Sequence, residues 1–398
     1  VLTPRPYQIE GRDFLASMRF ALLADEMRVG KTPQAIMAAE KIGAENVVVV
    51  CPAIAVPHWE REFDRWTDGR LAAWVYSYDG LRNNAECILR PGAYDLAIVD
   101  ECHFAKSPEA KRTKLVYGKD GLGWCADRLW ALSGTPAPKH AGELWPMLRA
   151  FGVVKMTYDE FVNRYCTINR FTLKITGTRE AMIPELRELL AKVMLRRTRK
   201  QVAPEMPGID FQFLEVEPAA CDDLPADLDA EHLESAPSLQ AERIAVAQAK
   251  VLPLAKHIDF AIQNELLKQG VVFGWHVEPL ERLVRLLNEC GIRTEIINGK
   301  TSPKQRELIQ ENFKNGLTQI VAGNIMACGT AIDLSSASHA WMLELDWVPA
   351  NNVQAANRLV SMMKEEKVTV DVVTWPGSTD DRVQQVLVRR VRELSQLY

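Results

Sequence analysis

The sequence predicts an α/β protein of two lobes, each a parallel sheet flanked by helices, joined by a partly helical connector. Three observations predict it. Short, wholly apolar runs recur, as in strands buried on both faces. Amphipathic stretches at helical spacing alternate with those runs. The chain's 398 residues also exceed one ordinary domain, which holds about 100–150 residues.

In the first part, Val47–Cys51 (VVVVC), Leu96–Asp100 and Leu129–Ser133 read as buried strands, with Thr32–Lys41 and Trp59–Trp66 as helices among them. Residues 1–150 form the expected first lobe. Glu180–Lys200 reads as a helix ending in a basic cluster of Arg196, Arg197, Arg199 and Lys200. Pro204, Pro207 and Gly208 interrupt it, and a polar stretch, Pro218–Ser238, follows. Residues 151–245 are therefore expected to be a helical extension and connector. The strand–helix rhythm returns in 246–398, with strands at Val271–Trp275, Thr294–Ile297, Gln319–Ala322, Trp341–Leu345 and Val368–Thr374 and a closing helix at Arg382–Leu397.

Composition bounds the function. Hydrophobic residues at 47% and charged residues at 25% describe a globular chain with a real core. No apolar stretch reaches the roughly 18 residues of a membrane span, and no leader-like segment opens the chain, so a cytoplasmic setting without a membrane is expected. The eight cysteines include no CxxC pair, and the histidines show no metal-ligand spacing, which argues for a reduced compartment and against a zinc module. Most of the ten tryptophans sit in strand patterns and read as core. With a net charge of −4, any nucleic-acid track must be a local basic stripe on a near-neutral body.

The chemistry concentrates at two strand ends. Leu22–Thr32 (LLADEMRVGKT) is an apolar strand running into Gly30-Lys31-Thr32 and a helix. Backbone N–H groups at such a helix start cradle phosphate oxygens, Lys31 can reach the β- and γ-phosphates, and the Thr32 hydroxyl can ligate Mg²⁺. Alone the segment could be a Gly-containing turn, because the strict phosphate-loop pattern wants Gly where Asp25 stands. Leu96–His103 (LAIVDECH) supplies the second half: Asp100 can hold Mg²⁺ and Glu101 can polarise an attacking water. An acidic strand end facing solvent is common, but the two sites in this order together point to hydrolysis of a nucleotide, ATP with Mg²⁺.

The ordered set RPYQ (Arg5–Gln8), ADEMRVGKT, VVCPAIAVPHWEREF, VDECH, LSGTP and MLRRTRKQV resembles the Swi/Snf-like branch of superfamily 2 helicases, in which Asp at position 25 is usual. VVFGWHVEPLERL, INGKTSPKQRELIQENF, ACGTAIDLSSASHAW and DWVPANNVQAANR extend the likeness through the second lobe. The resemblance implies two RecA-like lobes. It gives Gln8 the adenine edge, with Tyr7 and Arg5 shaping the pocket, and places Asp25, Gly30, Lys31, Thr32 and Gly329 around the nucleotide. Ser133, Gly134 and Thr135, with His103 and Gln354, would couple nucleotide to track. Pro52, Ala53, Ser77, Tyr78, Arg196, Arg197 and Thr330 would lie along nucleic-acid phosphates, and Arg358 would reach the γ-phosphate from the second lobe.

Two positions depart from the family pattern. Arg28 stands where a small Gly is usual. Ser361 replaces a second arginine three residues after Arg358, for which Lys364 or Lys367 could substitute. The implied function is a DNA-stimulated ATPase that translocates on double-stranded DNA, in a bacterial or virus-infected cell, with a possible protein partner that recruits or activates it. An ATP-gated nucleic-acid clamp with weak hydrolysis and an RNA-directed motor are the rival readings.

Overall fold

The structure, a computed structural model of the chain, describes residues 3–205, 208–218, 239–328, 332–361, 364 and 366–397. Contacts divide it into a first unit reaching to Pro204 and a second, Glu205–Arg389.

The first unit is built on six parallel strands: β1 (Phe20–Leu23), β2 (Val47–Cys51), β3 (Ala73–Ser77), β4 (Tyr94–Asp100), β5 (Ala126–Leu132) and β8 (Met194–Leu195), in the order β3-β2-β4-β5-β1-β8. Alternation along each strand feeds two cores. Val48, Val50, Ala97, Val99, Leu129 and Ala131 pack on one face, while Val47, Val49, Cys51, Leu96, Ile98, Trp130 and Leu132 pack on the other. A parallel sheet covered on both faces needs both sets apolar, hence runs such as VVVVC. Helix α1 (Pro6–Ser17) precedes β1, α2 (Lys31–Lys41) follows it, and α3 (Val56–Thr67) follows β2. Trp59, Trp130 and Trp341 are fully buried, as their patterns predict.

The expected helix Glu180–Lys200 is a correction. Its helical part ends at Ala191, and Met194–Leu195 form β8, which pairs in parallel with Leu22 and Leu23 at the sheet edge. The edge of β1 offers unpaired backbone groups, and pairing there satisfies them. Residues 151–204 therefore belong to the first unit rather than to a connector. Within them, β6 (Cys166–Ile168) and β7 (Ile175–Thr178) form an antiparallel hairpin.

The second unit has its own six parallel strands: β9 (Ile209–Glu215), β10 (Gly270–Gly274), β11 (Thr294–Ile297), β12 (Ile320–Asn324), β13 (His339–Met342) and β14 (Val368–Thr374), ordered β11-β12-β10-β13-β14-β9. Strand β9 lies inside the expected connector. Helix Leu239–Gln263 packs its Val251, Leu254 and Ile258 with Val272, Leu280 and Leu283 in that unit's core. Lys250 on this helix has no exposed surface and donates to the Val373 carbonyl (2.9 Å) and the Asp380 carboxylate (2.8 Å). Such a charge is tolerable inside only when paired and hydrogen-bonded. Lys250→Met fills the volume but strands the Asp380 carboxylate, so it should lower the unfolding free energy by about 3 kcal/mol, read as a lower urea midpoint.

Candidate functional site

All the motif segments of the first unit lie at the carboxyl ends of its parallel strands, where open α/β sheets bind ligands. After β1 the chain enters the loop Ala24–Gly30. Two of its residues adopt left-handed backbone, Arg28 (φ 67°) and Gly30 (φ 78°). Gly30 is required twice over: its φ suits glycine, and a Cβ there would lie 2.7 Å from Gln8 Nε2. Arg28 accepts the same conformation with a full side chain, which for a residue other than Gly is strained. Lys31 Nζ turns back over the loop, donating to the carbonyls of Asp25 (2.9 Å) and Glu26 (3.3 Å).

The loop's shape is held from below. Asp25 has no exposed surface, and its carboxylate accepts a two-pronged pair from Arg197, Nε to Oδ1 at 3.1 Å and Nη2 to Oδ2 at 2.6 Å. Arg197 also donates to Gln34 Oε1 (2.8 Å) and the Tyr7 carbonyl (2.6 Å), and its guanidinium stacks 5.7 Å above the Tyr7 ring. Gln34 Nε2 closes the circuit by donating to Gly30 O (3.0 Å) and Asp25 Oδ2 (3.3 Å). Gly11 makes room for it, since a Cβ there would lie 1.7 Å from Gln34 Oε1. Arg196 donates to the carbonyls of Ala24 and Gly134, both at 3.0 Å, stapling the phosphate loop to the segment after β5.

These contacts give three of the expected site residues structural partners. Arg196 and Arg197 are committed to groups inside the first unit. The Asp25 carboxylate is held by Arg197 and shapes the loop. Gln34 is a residue the motif reading missed, although its place one turn into α2 after Gly30 is the signal that could have found it.

At the end of β4, Asp100 and Glu101 stand together. Trp59 Nε1 donates to Asp100 Oδ2 (2.8 Å), and the Glu101 N–H donates to Oδ1 (2.9 Å). Burial first, and the charge of Glu101 second, push the Asp100 carboxyl up to about 6, against the opposing pull of Trp59 and Lys31. Glu101 itself is left-handed at φ 47°. Its Oε2 lies 3.3 Å from His103 Nδ1 and 3.4 Å from Ser133 Oγ, which lies 2.9 Å from His103 Nδ1 and accepts from the Thr135 N–H at 3.1 Å. Gly134 packs against the phosphate loop, where a Cβ would sit 3.1 Å from Met27 Cγ. His103, Ser133, Gly134 and Thr135 thus join the two carboxylates to the loop in one network.

The remaining expected residues divide. Gln8 is buried at the start of α1, its Oε1 accepting from the Arg5 N–H (2.9 Å), while its amide nitrogen faces Gly30. Tyr7 is buried and Arg5 half-buried. Ala53 is exposed and Ser77 half-buried, but Pro52 and Tyr78 are buried. The Tyr78 hydroxyl donates to the Asp100 carbonyl at 2.8 Å, so Tyr78 buttresses β4. Trp59, read as packing alone, also binds Asp100, and no sequence signal marks that. In the second unit Gln354 is buried on helix Pro349–Ala356 and Arg358 is half-buried just beyond it. Gly329 and Thr330 lie outside the described residues. Lys364 donates to the carbonyls of Ser335 (2.9 Å), Ala337 and Leu359 (3.4 Å), and burial lowers its pKa. Its three N–H donors are engaged by these carbonyls.

Among the described residues no group of three or more His, Cys, Asp and Glu side chains forms a metal cage. A magnesium ion held mainly by phosphate oxygens needs only one or two protein oxygens. The Asp100–Glu101 pair, whose ionisation is costly, fits that role, because a divalent cation would offset the repulsion.

Two measurements test this geometry. Removing one partner of a buried pair strands the other, so Arg197→Ala should lower the unfolding free energy by about 3–5 kcal/mol in urea titrations. Arg197→Lys keeps the charge but loses the fork and should recover only part. An ordinary Asp loses its proton near pH 3.9, so between there and about 6 the unfolded chain is ionised at Asp100 while the native one stays protonated. Native stability therefore falls as pH rises through that window. With chelator present, Asp100→Asn should melt above the wild type at pH 8, and the difference should vanish near pH 4.

Comparisons with known proteins bear on the family and the fold. A family model described as SNF2-related domain matches residues 7–83 and 73–221, and one described as helicase conserved C-terminal domain matches 250–362. The "DNA annealing helicase and endonuclease ZRANB3" of Mus musculus is 27% identical over 97% of this chain. The Xenopus tropicalis "SWI/SNF-related matrix-associated actin-dependent regulator of chromatin subfamily A-like protein 1" is 26% identical over 98% of it. The chain spans 40% and 44% of those relatives' lengths. Both are eukaryotic and lend the expected bacterial or viral setting no support. The Pyrococcus furiosus Hef helicase domain shares the fold, with a TM-score of 0.55 and 13% identity over 96% of this chain and 97% of that one. No described helix is long and apolar enough to cross a membrane. With the SNF2-related model matched across more than half its length and the helicase C-terminal model across the second unit, the chain belongs to the SNF2-related family, the Swi/Snf-like branch of the superfamily 2 helicases.

Proposed function

We propose that the chain is a nucleic-acid-stimulated ATPase that moves along double-stranded DNA. The observation that carries the reading is the strand-end network of the first unit, in which Lys31, Asp100, Glu101, His103 and Ser133 interact across the ends of β1, β4 and β5. In this reading Gln8 meets the adenine edge, and the backbone N–H groups at the start of α2, with Lys31, hold the β- and γ-phosphates. Magnesium, when bound by Asp100 and Thr32, neutralises phosphate charge. Glu101 takes a proton from water as its oxygen bonds to the γ-phosphorus and the bond to ADP breaks. His103 and Ser133 touch Glu101, Thr135 bonds Ser133 and Gly134 packs on the loop, so in this reading the state of the nucleotide is felt by the segment beside the track. Arg358, with Gln354 behind it, stabilises charge at the γ-phosphate when the two lobes close, a hinge motion driven by ligand contacts. Ala53 and Ser77, with Thr330, are the proposed contacts to DNA phosphates.

DNA is favoured over RNA by the named relatives, one of which is described as a DNA annealing helicase. A second reading, an ATP-gated clamp with slow turnover, is favoured by Ser361 together with the commitment of Lys364 elsewhere. The steady-state ATPase rate separates them, measured alone and with single-stranded DNA, duplex DNA and duplex RNA at matched salt. Duplex DNA should raise the rate most, and a flat low rate with every polymer would favour the clamp. Glu101→Gln should keep nucleotide binding but lose hydrolysis, and normal turnover there would assign the base elsewhere. Arg358→Ala should slow turnover by about a thousandfold with little change in nucleotide Kd.

A further inference from the structure

The β6–β7 hairpin plays no part in the nucleotide network, yet it displays the most exposed aromatic side chain of the described residues. Phe171, at its tip, is 97% exposed, and Leu173 is 78% exposed. A single exposed apolar residue is ordinary on a loose loop, but this tip is fixed. Asn169 Oδ1 accepts from the N–H groups of Phe171 (2.9 Å) and Thr172 (3.0 Å), the Leu173 N–H donates to Asn169 O (2.9 Å), and the Asn169 N–H donates to Lys174 O (2.9 Å). Leu173 takes up left-handed backbone at φ 54° to close the turn. The chain thus holds Phe171 out in water on a built support, forgoing the roughly 2–3 kcal/mol that burying such a ring would yield.

The charge around that ring is one-sided. Cys166–Thr178 (CTINRFTLKITGT) contains Arg170 and Lys174 and no acidic residue, in a chain with 52 acids against 48 bases. Arg170 and Lys174, on either side of Phe171 in sequence, are both exposed. The hairpin is also anchored beside the coupling segment. Thr178 Oγ1 accepts from the Ala141 N–H (2.9 Å), a few residues after Ser133–Pro136, and a Cβ on Gly142 would lie 3.3 Å from Cys166 Sγ. An exposed aromatic ring and two cations on one turn, in a hairpin without an acid, is the chemistry that takes a base by stacking and its phosphates by charge.

We propose that this hairpin tip is a nucleic-acid contact site, in which Phe171 stacks on an unpaired base while Arg170 and Lys174 hold the neighbouring phosphates. The proposal rests on the reading of the chain as a nucleic-acid-dependent ATPase. The site explains why the tip is rigid and basic while its aromatic ring stays uncovered.

The test uses the full chain and a DNA duplex with a single-stranded tail that carries 2-aminopurine. Binding is followed by anisotropy and stacking by quenching, with ATPase stimulation measured alongside. Phe171→Ala should weaken binding about tenfold and remove the quenching, whereas Phe171→Tyr should keep both. Arg170→Gln combined with Lys174→Gln should flatten the slope of log affinity against log salt by about 1–2. Basal ATPase and the melting midpoint should not move, since the altered side chains are in solvent. Wild-type affinity and quenching in Phe171→Ala, with the DNA still stimulating turnover, would overturn the hairpin site and leave the motor reading intact. A wild-type chain that neither binds nor responds to any nucleic acid would remove both.

Discussion

The fork between Asp25 and Arg197 is the contact on which the nucleotide site depends. It joins four elements of the first unit: α1 through the Tyr7 carbonyl, the phosphate loop through Asp25, α2 through Gln34, and the segment after β8 through Arg197 itself. A carboxylate with no exposed surface cannot remain ionised without such a partner. The partner is 172 residues away in sequence. The loop's shape is therefore braced from the segment that follows β8, at the end of the first unit's chain. In the proposed reading phosphate binding depends on this tertiary brace as well as on the local loop sequence. The left-handed turns at Arg28 and Gly30 lie within the braced loop.

The carboxylate end shows the same principle from the other side. Asp100 and Glu101 repel each other, and Glu101 adopts a backbone conformation that residues with a Cβ avoid. Trp59, Tyr78, His103 and Ser133 supply the bonds that hold the pair there. Four residues from α3, the turn after β3, the turn after β4 and the end of β5 thus converge on two acids, and the strain is concentrated where charge on a ligand would relieve it.

How much of this was legible depended on range. The central strands were readable because a parallel sheet demands apolar residues on both faces, and VVVVC or LAIVD satisfy nothing else so well. Of the edge strands only β11 (Thr294–Ile297) was. In β3 (AWVYS) and β9 (IDFQFLE) polar and half-exposed positions interrupt the run, since an edge needs less cover. Lys31, Asp100 and Glu101 were read from their spacing within short segments that end in a strand, and Ser133 from the family resemblance; the fold brings all four to strand ends. The intramolecular partners of Arg196, Arg197 and Tyr78 were not readable, because a cation or an aromatic in a loop carries no mark of the partner it will meet. Arg197 meets Asp25, and Tyr78 meets Asp100, only through the tertiary fold.

Range also decides what the Ser361 departure means. From sequence, Lys364 looks like a cation displaced by one turn and ready to replace the missing arginine. In the fold its ammonium is held by three backbone carbonyls of the second unit, and burial makes the charge harder to keep. Freeing it would strand those carbonyls, a loss of about 1–3 kcal/mol for each buried group left unsatisfied. Lys364 is therefore a structural brace, which in the proposed reading leaves Arg358 and Lys367 to offer positive charge to a γ-phosphate from this segment. In that reading an arginine at the γ-phosphate is worth about three to five powers of ten in rate, so replacing Arg358 should separate a motor that uses it from a clamp that does not.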